Sequence, residues 1–327
     1  MASRFNPTST LSLSLCSALL VAACGGGGSD TTDTLSNESA AGYAANASVV
    51  GTDATSALDA TLLTTTGLVS ASATTQSAVT GREQALATST GALSCAGGGT
   101  ATLSITGASV PAELNGQLDA GEVYAATFTD CAGSAGAAIL NGALTMTVNS
   151  TTANGATVTF ASAAPTPLRV TQPRGNVTFV GSVTIDRSVT TNGANNTVST
   201  HVTSASLAIT TNFNNRTGQF TLSSVDLTRQ ANFVSGVLQS AAYSGSHALS
   251  AVLRNLSYSY TVATQGGTSF GPNGLPTQGG WVITLPRRSI TITVAAGTVT
   301  IAIDEGKDGS VDRTITLPVA QLGSDAG

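Results

Sequence analysis

Alternation of apolar and polar residues, which begins just after Cys95, is the feature that most constrains the fold. Successive side chains of a strand point to opposite faces, so this period predicts strands with one apolar and one polar face. Such strands are typical of antiparallel sheets that have one face in water. The apolar members of the runs are Leu103 and Ile105; Leu144, Met146 and Val148; Val177, Phe179, Val183 and Ile185; Leu207 and Ile209; Tyr260 and Val262; Ile290, Ile292 and Val294; Val299, Ile301 and Ile303; and Ile315 and Leu317.

Turn residues separate these runs. Asn192-Gly193, Asn214–Gly218, Ala296-Gly297 and Lys307–Gly309 each lie between two alternating stretches, as expected for hairpins. No helical pattern of 10–15 residues interrupts them, which argues against parallel βαβ units. The sequence therefore predicts a mainly β protein, with an antiparallel meander of about 10–12 strands over residues 94–322.

The length of the runs favours a curved sheet, a half-barrel or a barrel over a compact sandwich. Val177–Thr191 and Thr197–Phe213 are far longer than the ~5–6 residues of an ordinary strand. The apolar face needs a cover, either from closure of the barrel or from the N-terminal segment lying across an open half-barrel. The apolar parity changes at Ser223-Ser224, which predicts a β-bulge there.

Residues 35–93 are rich in Ala, Ser and Thr and are predicted to be short helices or loosely ordered chain. Ser36–Val50 suits a first helix, and Asp53 is placed to cap a second one. Thr64–Thr66 and Gly67 have low helix propensity and weaken that second helix.

The first 23 residues have the pattern of a secretory signal peptide. Arg4 precedes an uncharged run, Leu11–Ala23, which is too short to span ~30 Å of hydrocarbon as a helix. Val21-Ala22-Ala23-Cys24 resembles the lipobox of bacterial lipoproteins. That resemblance implies a diacylglyceryl group on the Cys24 thiol, cleavage before Cys24, and acylation of the new N-terminus.

An anchor of three acyl chains would be effectively permanent, because one chain alone holds only marginally. Residues 24–34 begin with four glycines after Cys24 and are predicted to be a flexible tether. In the lipoprotein family an Asp after the lipidated Cys favours the inner membrane, whereas Gly25 stands here. The expected location is therefore the outer membrane, with the domain facing the periplasm or the cell surface.

Composition excludes several classes of partner. Charged residues make up 9% of the chain and the net charge is −5, so no basic patch is available for nucleic acid. Aromatic residues, at 4%, are too few for the two girdles of a membrane-spanning barrel. The expected partners are the membrane, through the lipid, and a hydrophobic ligand or an envelope protein.

The four cysteines divide by position. Cys16 leaves with the signal peptide and Cys24 takes the lipid, so Cys95 and Cys131 remain as an even pair in an exported protein. A disulfide is expected in an oxidising compartment. It would close a loop of about 36 residues and contribute roughly 3–4 kcal/mol in the loop-entropy model.

Two further stretches are weak candidate sites. Asp304, Asp308 and Asp312 have part of the spacing of a calcium-binding loop, but the bidentate carboxylate is missing, and a hairpin turn is the preferred interpretation. The Gly/Pro-rich stretch Gln265–Gly280 carries Phe270 and precedes Trp281. Loops of this length often bind ligands, so an exposed Phe270 with Trp281 is a possible binding loop. The preferred interpretation is a mobile connection, with Trp281 packed at the start of the next strand.

The sequence contains few residues in patterns typical of catalytic sites. No zinc-protease motif, phosphate-binding loop or dinucleotide fingerprint occurs in the sequence. His201 is predicted to lie on the solvent face and His247 in a turn-like stretch. No catalytic residue and no cofactor is expected.

Residues 95–148 resemble a group of proteobacterial lipoproteins to which no activity is assigned. The resemblance rests on Cys95–Gly99, Leu118–Glu122, Phe128–Cys131 and Leu140–Gly142. It supports the Cys95–Cys131 pairing and implies two adjacent strands joined near their ends, with residues 115–121 forming the turn.

Three functions remain open. The preferred one is a non-enzymatic, lipid-anchored β-domain of the cell envelope with a binding or structural role. The second is a half-barrel that carries a hydrophobic ligand or a lipoprotein under a helical lid. The third is an envelope hydrolase without a recognisable motif. A filled core would favour the first function, whereas a concave apolar cavity would favour the second.

Overall fold

The computed structural model describes residues 37–77, 92–106, 116–133, 138–172, 175–213, 216–253, 256–271 and 275–320. The predicted signal peptide (1–23), the tether (24–34) and the lipidation site Cys24 lie outside these residues. Within them the chain forms one long helix followed by sixteen strands in a single sheet. None of the described helical residues belongs to a helix with the length and apolarity needed to cross a bilayer.

The predicted fold class is confirmed: the protein is mainly β, with a large antiparallel meander and a helical N-terminal segment. Each neighbouring pair of strands is antiparallel, and most strands pair with the next one along the chain. The elements are α1 (Asn37–Ser77), β1 (Leu93–Ser94), β2 (Thr100–Thr106), β3 (Val123–Ala132), β4 (Ile139–Thr152), β5 (Gly155–Ser162), β6 (Leu168–Gln172), β7 (Gly175–Asn192), β8 (Asn195–Phe213), β9 (Arg216–Val234), β10 (Val237–Leu253), β11 (Leu256–Thr264), β12 (Thr268–Phe270), β13 (Pro276–Thr284), β14 (Ser289–Ala295), β15 (Thr298–Asp304) and β16 (Arg313–Pro318).

Sixteen strands are found where about 10–12 were expected. Part of the difference arises because two positions in the sheet are each shared by two strands, which leaves fourteen positions along the sheet. β5 and β6 both pair with β4 and β7, and β11 and β12 both pair with β10 and β13. The alternating pattern identifies runs of strand residues but does not reveal that two consecutive runs occupy one position.

The helix lies against the inner face of a strongly curved sheet. It packs against β1 and β2 near one end of the sheet, β6, β7 and β9 in the middle, and β13 and β15 near the other end. The sheet therefore curls into a barrel around the helix, although β1 and β16 do not pair with each other in the described part of the chain.

Alternation places the core as predicted. In β2, β14 and β15 every second residue is buried, and these buried residues are the apolar ones. They join the buried side chains of the helix in one continuous core. Leu58, Leu62, Leu68 and Val69 are the large apolar residues that the helix contributes.

The segment predicted as short helices is instead a single helix of 41 residues. It continues through Asp53, which was expected to cap a second helix, and through Thr64–Thr66. Thr61, Thr65 and Thr66 each donate a hydroxyl hydrogen bond of 2.8 Å to the carbonyl four residues earlier. Because the helix itself satisfies these hydroxyls, they can be buried against the sheet, and this packing outweighs their low helix propensity.

Local predictions in the sheet are also confirmed. Leu222 and Val225 are both buried, and the β9–β10 register slips beside them, so the bulge lies at the expected place. Gly297, with φ of 75°, forms the β14–β15 turn together with Ala296. Of the expected turn Asn214–Gly218, Asn214 and Asn215 lie outside the described residues.

The disulfide between Cys95 and Cys131 is present. Cys95 lies in the connection between β1 and β2, and Cys131 lies near the end of β3, so the bond fixes the β1–β2 turn to the neighbouring hairpin. Both cysteines are buried in the core. The turn before β3 begins within the described residues at Gly116, and Glu122 closes it by accepting a hydrogen bond from the Asp119 amide.

Candidate functional site

The strongest concentration of polar chemistry lies inside the molecule, between the helix and the inner face of the sheet. Asp59, on α1, is almost fully buried. Its partners come from three consecutive strands: Arg187 from β7, Thr200 from β8 and Arg229 from β9. Tyr243, from the next strand, β10, accepts a hydrogen bond from Arg229. We call this group, together with Ser56, the Asp59 cluster.

The sheet places these side chains by simple alternation. Arg187 follows the buried residues Val183 and Ile185 on the same parity, and Arg229 follows Val225 and Leu227. Because residues two apart in a strand share a face, both arginines point toward the helix. Thr200 stands opposite Arg187 on one side and opposite Arg229 on the other.

Each oxygen of the Asp59 carboxylate has a charged partner. Oδ1 lies 2.9 Å from Arg187 Nε and accepts a hydrogen bond of 3.0 Å from the Thr200 hydroxyl. Oδ2 lies 3.1 Å from Arg229 Nη1. Breaking such a buried pair leaves an uncompensated charge, so the cluster fixes the helix in one position on the sheet.

Tyr243 extends the cluster to a second contact with the helix. Its hydroxyl accepts a hydrogen bond of 3.0 Å from Arg229 Nε and lies 2.8 Å from the Ser56 hydroxyl. The Arg229 guanidinium also lies 6.0 Å from the centre of the Tyr243 ring, at the limit of a cation–π contact. The cluster is therefore continuous from α1 across β7, β8, β9 and β10.

A cavity of about 310 Å³ adjoins the cluster at Arg187. It opens between the second half of α1, the β2–β3 connection, the β4–β5 hairpin and β7. Leu62, Leu63 and Leu118 form its apolar part, and Arg187 is the single charged side chain among the described residues that line it.

A second buried polar residue of the inner face, His247, has no hydrogen-bond partner among the described residues. His247 lies on β10, four residues after Tyr243 and on the same face. Neither of its ring nitrogens has a hydrogen-bond partner in the described part of the chain. Burial lowers the pKa of His247 to about 4, so the side chain is neutral at pH 7. The expectation of a turn at His247 is wrong, because this residue lies inside a strand.

The other histidine is exposed, as predicted. His201 Nε2 lies 2.9 Å from Asp226 Oδ1, and the two side chains are 43% and 69% exposed. They lie on the outer face of the sheet, on β8 and β9, and not in a cleft. A His–carboxylate contact in a cleft would have favoured a hydrolase, and this pair does not provide one.

Glu122 and Tyr124 form a further buried contact, in which the Tyr124 hydroxyl donates to the Glu122 carboxylate. Burial and then the neighbouring Glu122 raise the pKa of Tyr124 well above its ordinary value. Since Glu122 also accepts from the Asp119 amide, this contact holds the turn that leads into β3.

The suggested calcium loop has the geometry of a hairpin connection. Asp304 accepts hydrogen bonds from the amides of Asp308 and Gly309, and Asp312 accepts one from the amide of Glu305. The Asp308 carboxylate accepts a hydrogen bond from the Ser310 amide, so all three carboxylates stabilise the turn between β15 and β16. Among the described residues no group of three His, Cys, Asp or Glu side chains is placed to hold a metal ion.

The expectation of an exposed Phe270 on a long loop is wrong. Half of Gln265–Gly280 belongs to β12 and β13, which pair with each other. Phe270 and Trp281 are both buried; their ring centres are 6.2 Å apart, and Phe270 also meets Tyr243 edge to face. An aromatic side chain gains more free energy by joining the core than by remaining in water, and the short strand β12 carries Phe270 there.

Sequence reasoning did not find the Asp59 cluster. The available signal was the presence of Arg187 and Arg229 on the apolar parity of their strands, since buried arginines require a carboxylate partner. Comparison with known proteins adds no assignment for this arrangement: no family model, no curated protein and no solved structure matches this chain.

Proposed function

We propose that this protein is a lipid-anchored module of the bacterial cell envelope with a structural or binding role and no catalysis of its own. The observation that carries this proposal is the position of the helix. The concave face of the sheet is filled by α1, which buries Leu58, Leu62 and Leu68 and is held by the Asp59 cluster. A filled core favours a rigid module over a carrier with an open apolar cavity.

The anchor in this proposal rests on the sequence around Cys24, which resembles a lipobox. We expect wild-type protein to stay with the outer-membrane fraction after a carbonate wash, and a Cys24→Ala variant to be released. Cys16→Ala is the matched control, because Cys16 lies within the predicted signal peptide and its loss leaves the lipobox intact. Retention of the Cys24→Ala variant in the membrane would overturn the anchor.

The rigid module is tested by hydrogen exchange. A helix that belongs to a single cooperative core exchanges its backbone amides through the same global opening as β14 and β15. We therefore expect Leu58–Val69 and Ile290–Val294 to show similar protection. Exchange of the helix amides that is about 100-fold faster or more would instead indicate a lid that opens while the sheet stays folded.

One observation favours the carrier as a second candidate. Most side chains that α1 buries are small or carry hydroxyls, such as Ala44, Ala57, Thr61 and Thr65, whereas the sheet contributes Phe179, Ile185 and Leu249. Exposure of such a helix to water costs less free energy than exposure of the sheet, because the helix buries less apolar surface. An apolar ligand could therefore displace the helix from the sheet. Helix amides that lose protection specifically when phospholipid vesicles are added would support this candidate.

A further inference from the structure

The cavity beside Arg187 has two chemically different ends. Leu62 and Leu63 from α1 and Leu118 from the β2–β3 connection form an apolar wall. Thr152 and Asn154 from the β4–β5 hairpin and Arg187 from β7 form the polar end. At about 310 Å³ the cavity lies at the small end of the range for ligand sites.

The charges around this cavity are not balanced. The Asp59 carboxylate faces two guanidinium groups, those of the buried Arg229 and the partly buried Arg187, so these three side chains carry one surplus positive charge. Arg187 uses Nε for Asp59, and its two Nη groups make no hydrogen bond within the described part of the chain. Buried charges are normally paired, and a guanidinium fork matches a carboxylate in a bidentate manner.

The apolar wall continues onto the surface at Leu63. This side chain is 48% exposed, although it belongs to a helix whose neighbouring residues are mostly buried. It is one of few large apolar side chains of the described chain that water reaches to this extent. An alkyl chain lying along Leu62, Leu63 and Leu118 would remove it from water.

We propose that this cavity binds an amphiphilic monoanion of modest size, such as a medium-chain fatty acid. Its carboxylate pairs with the Nη groups of Arg187, and its alkyl chain covers Leu63. One negative charge matches the single surplus charge of the cluster, and the small volume excludes a phospholipid with two long chains. The inference rests on neither the lipid anchor nor the immobility of the helix.

Decanoate is a suitable probe, titrated below its micelle concentration by isothermal calorimetry. Residues 24–327 with Cys24→Ala contain every described helix and strand and require no detergent. We expect a dissociation constant below about 100 μM, with decanol and acetate each binding at least about tenfold more weakly. Equal binding of decanoate and decanol would overturn the assignment of the head group to Arg187, and no heat of binding with any probe would overturn the site.

Leu63→Glu places a carboxylate at the mouth of the cavity on an already exposed position, so the fold should tolerate it. We expect it to weaken decanoate binding at least about tenfold. Ser70→Glu is the matched control, because Ser70 is exposed on the same helix and does not line the cavity. Binding by Leu63→Glu equal to that of Ser70→Glu would place decanoate elsewhere and overturn the proposal.

Arg187→Lys keeps the charge but loses the planar fork. If Arg187 receives the carboxylate, this variant should bind decanoate several-fold more weakly while its affinity for decanol stays the same. A merely structural role of Arg187 would change both affinities together, so that outcome would overturn the assignment of the head group.

Discussion

Tyr243 and His247 are two buried polar residues that lie on the same face of β10, four residues apart. The cost of removing polar groups from water is offset differently around each of them. At Tyr243 the strand joins the Asp59 cluster, in which charged groups remain charged and are paired. At His247 the strand carries a titratable group that has no partner among the described residues and stays neutral. Pairing and neutrality are the two ways in which a protein interior tolerates such groups.

Comparison of the two sites indicates which of them determines the position of the helix on the sheet. The Asp59 cluster joins Ser56 and Asp59 of the helix to residues 128 to 187 positions later in the chain, so it specifies where the helix lies. His247 makes no hydrogen bond of this kind to any described residue, and its burial makes the core sensitive to pH. The first site therefore supplies specificity of packing, and the second limits the pH range in which the packing is stable.

The largest loss of stability should follow removal of the Asp59 carboxylate from the Asp59 cluster. Asp59→Ala leaves the buried Arg229 and the partly buried Arg187 without a carboxylate, and we expect a loss of about 3–5 kcal/mol in the free energy of unfolding. Urea unfolding followed by circular dichroism measures it. The control is Asp226→Ala, which removes an exposed aspartate and should cost less than about 1 kcal/mol. Similar losses in the two variants would show that the pairing of Asp59 does not stabilise the fold.

Lowering the pH should reduce the stability of the folded protein through protonation of His247. The unfolded chain protonates His247 near its ordinary pKa of 6.5, whereas the folded protein resists protonation down to about 4. Between these values the unfolded state binds more protons, so stability falls as the pH falls. We expect a loss of about 2 kcal/mol from pH 7 to pH 5.

His247→Leu should remove most of this pH dependence and leave stability at pH 7 unchanged or raised, since it deletes an unpaired polar group. His201→Leu is its control, because His201 is exposed on the outer face. Urea unfolding at pH 5, 6 and 7 measures the slope. If the two histidine variants have equal slopes, burial of His247 is not the cause.

A smaller effect is expected from Thr200→Val, which keeps the shape of the side chain but removes a hydrogen bond to the buried carboxylate. The cost should be about 1.5 kcal/mol, as for other hydrogen bonds to charged groups. Thr210→Val, elsewhere on β8, is the matched substitution away from the cluster. A difference between the two variants below about 0.5 kcal/mol would contradict a role of Thr200 in the pairing.

The smallest effect should follow Ser56→Ala at the edge of the cluster. It removes the contact with the Tyr243 hydroxyl, which still accepts a hydrogen bond from Arg229. We expect about 0.5 kcal/mol, measured by thermal unfolding beside the exposed helix control Ser70→Ala. A loss of 2 kcal/mol or more would mean that the helix is held mainly through Tyr243 and not through Asp59.

Much of the sheet could be predicted because alternation is a local property. The parity of residues such as Val177, Phe179 and Ile185 identifies the buried face, and the change of parity beyond Leu222 identifies the bulge. The Cys95–Cys131 bond could be predicted from the number and position of the cysteines. Each of these predictions requires only neighbouring residues or a count.

The helix and its cluster could not be predicted in this way, because they depend on contacts between distant residues. Thr64–Thr66 and Gly67 disfavour a helix locally, and only the surrounding sheet overrides that preference. No local sequence pattern around Asp59 indicates that it is buried and paired. Its role follows only from the contacts that it makes with Arg187 and Arg229 in the folded protein. Phe270 was misjudged for the same reason, since the strand that buries it is only three residues long.

The large separation along the chain between Asp59 and its partners also sets an order of events during folding. Neighbouring strands of the meander can pair as soon as each hairpin has been synthesised, because their contacts are local. The helix is made first, yet Arg229 follows Asp59 by 170 residues. Its final position must therefore wait until most of the sheet exists.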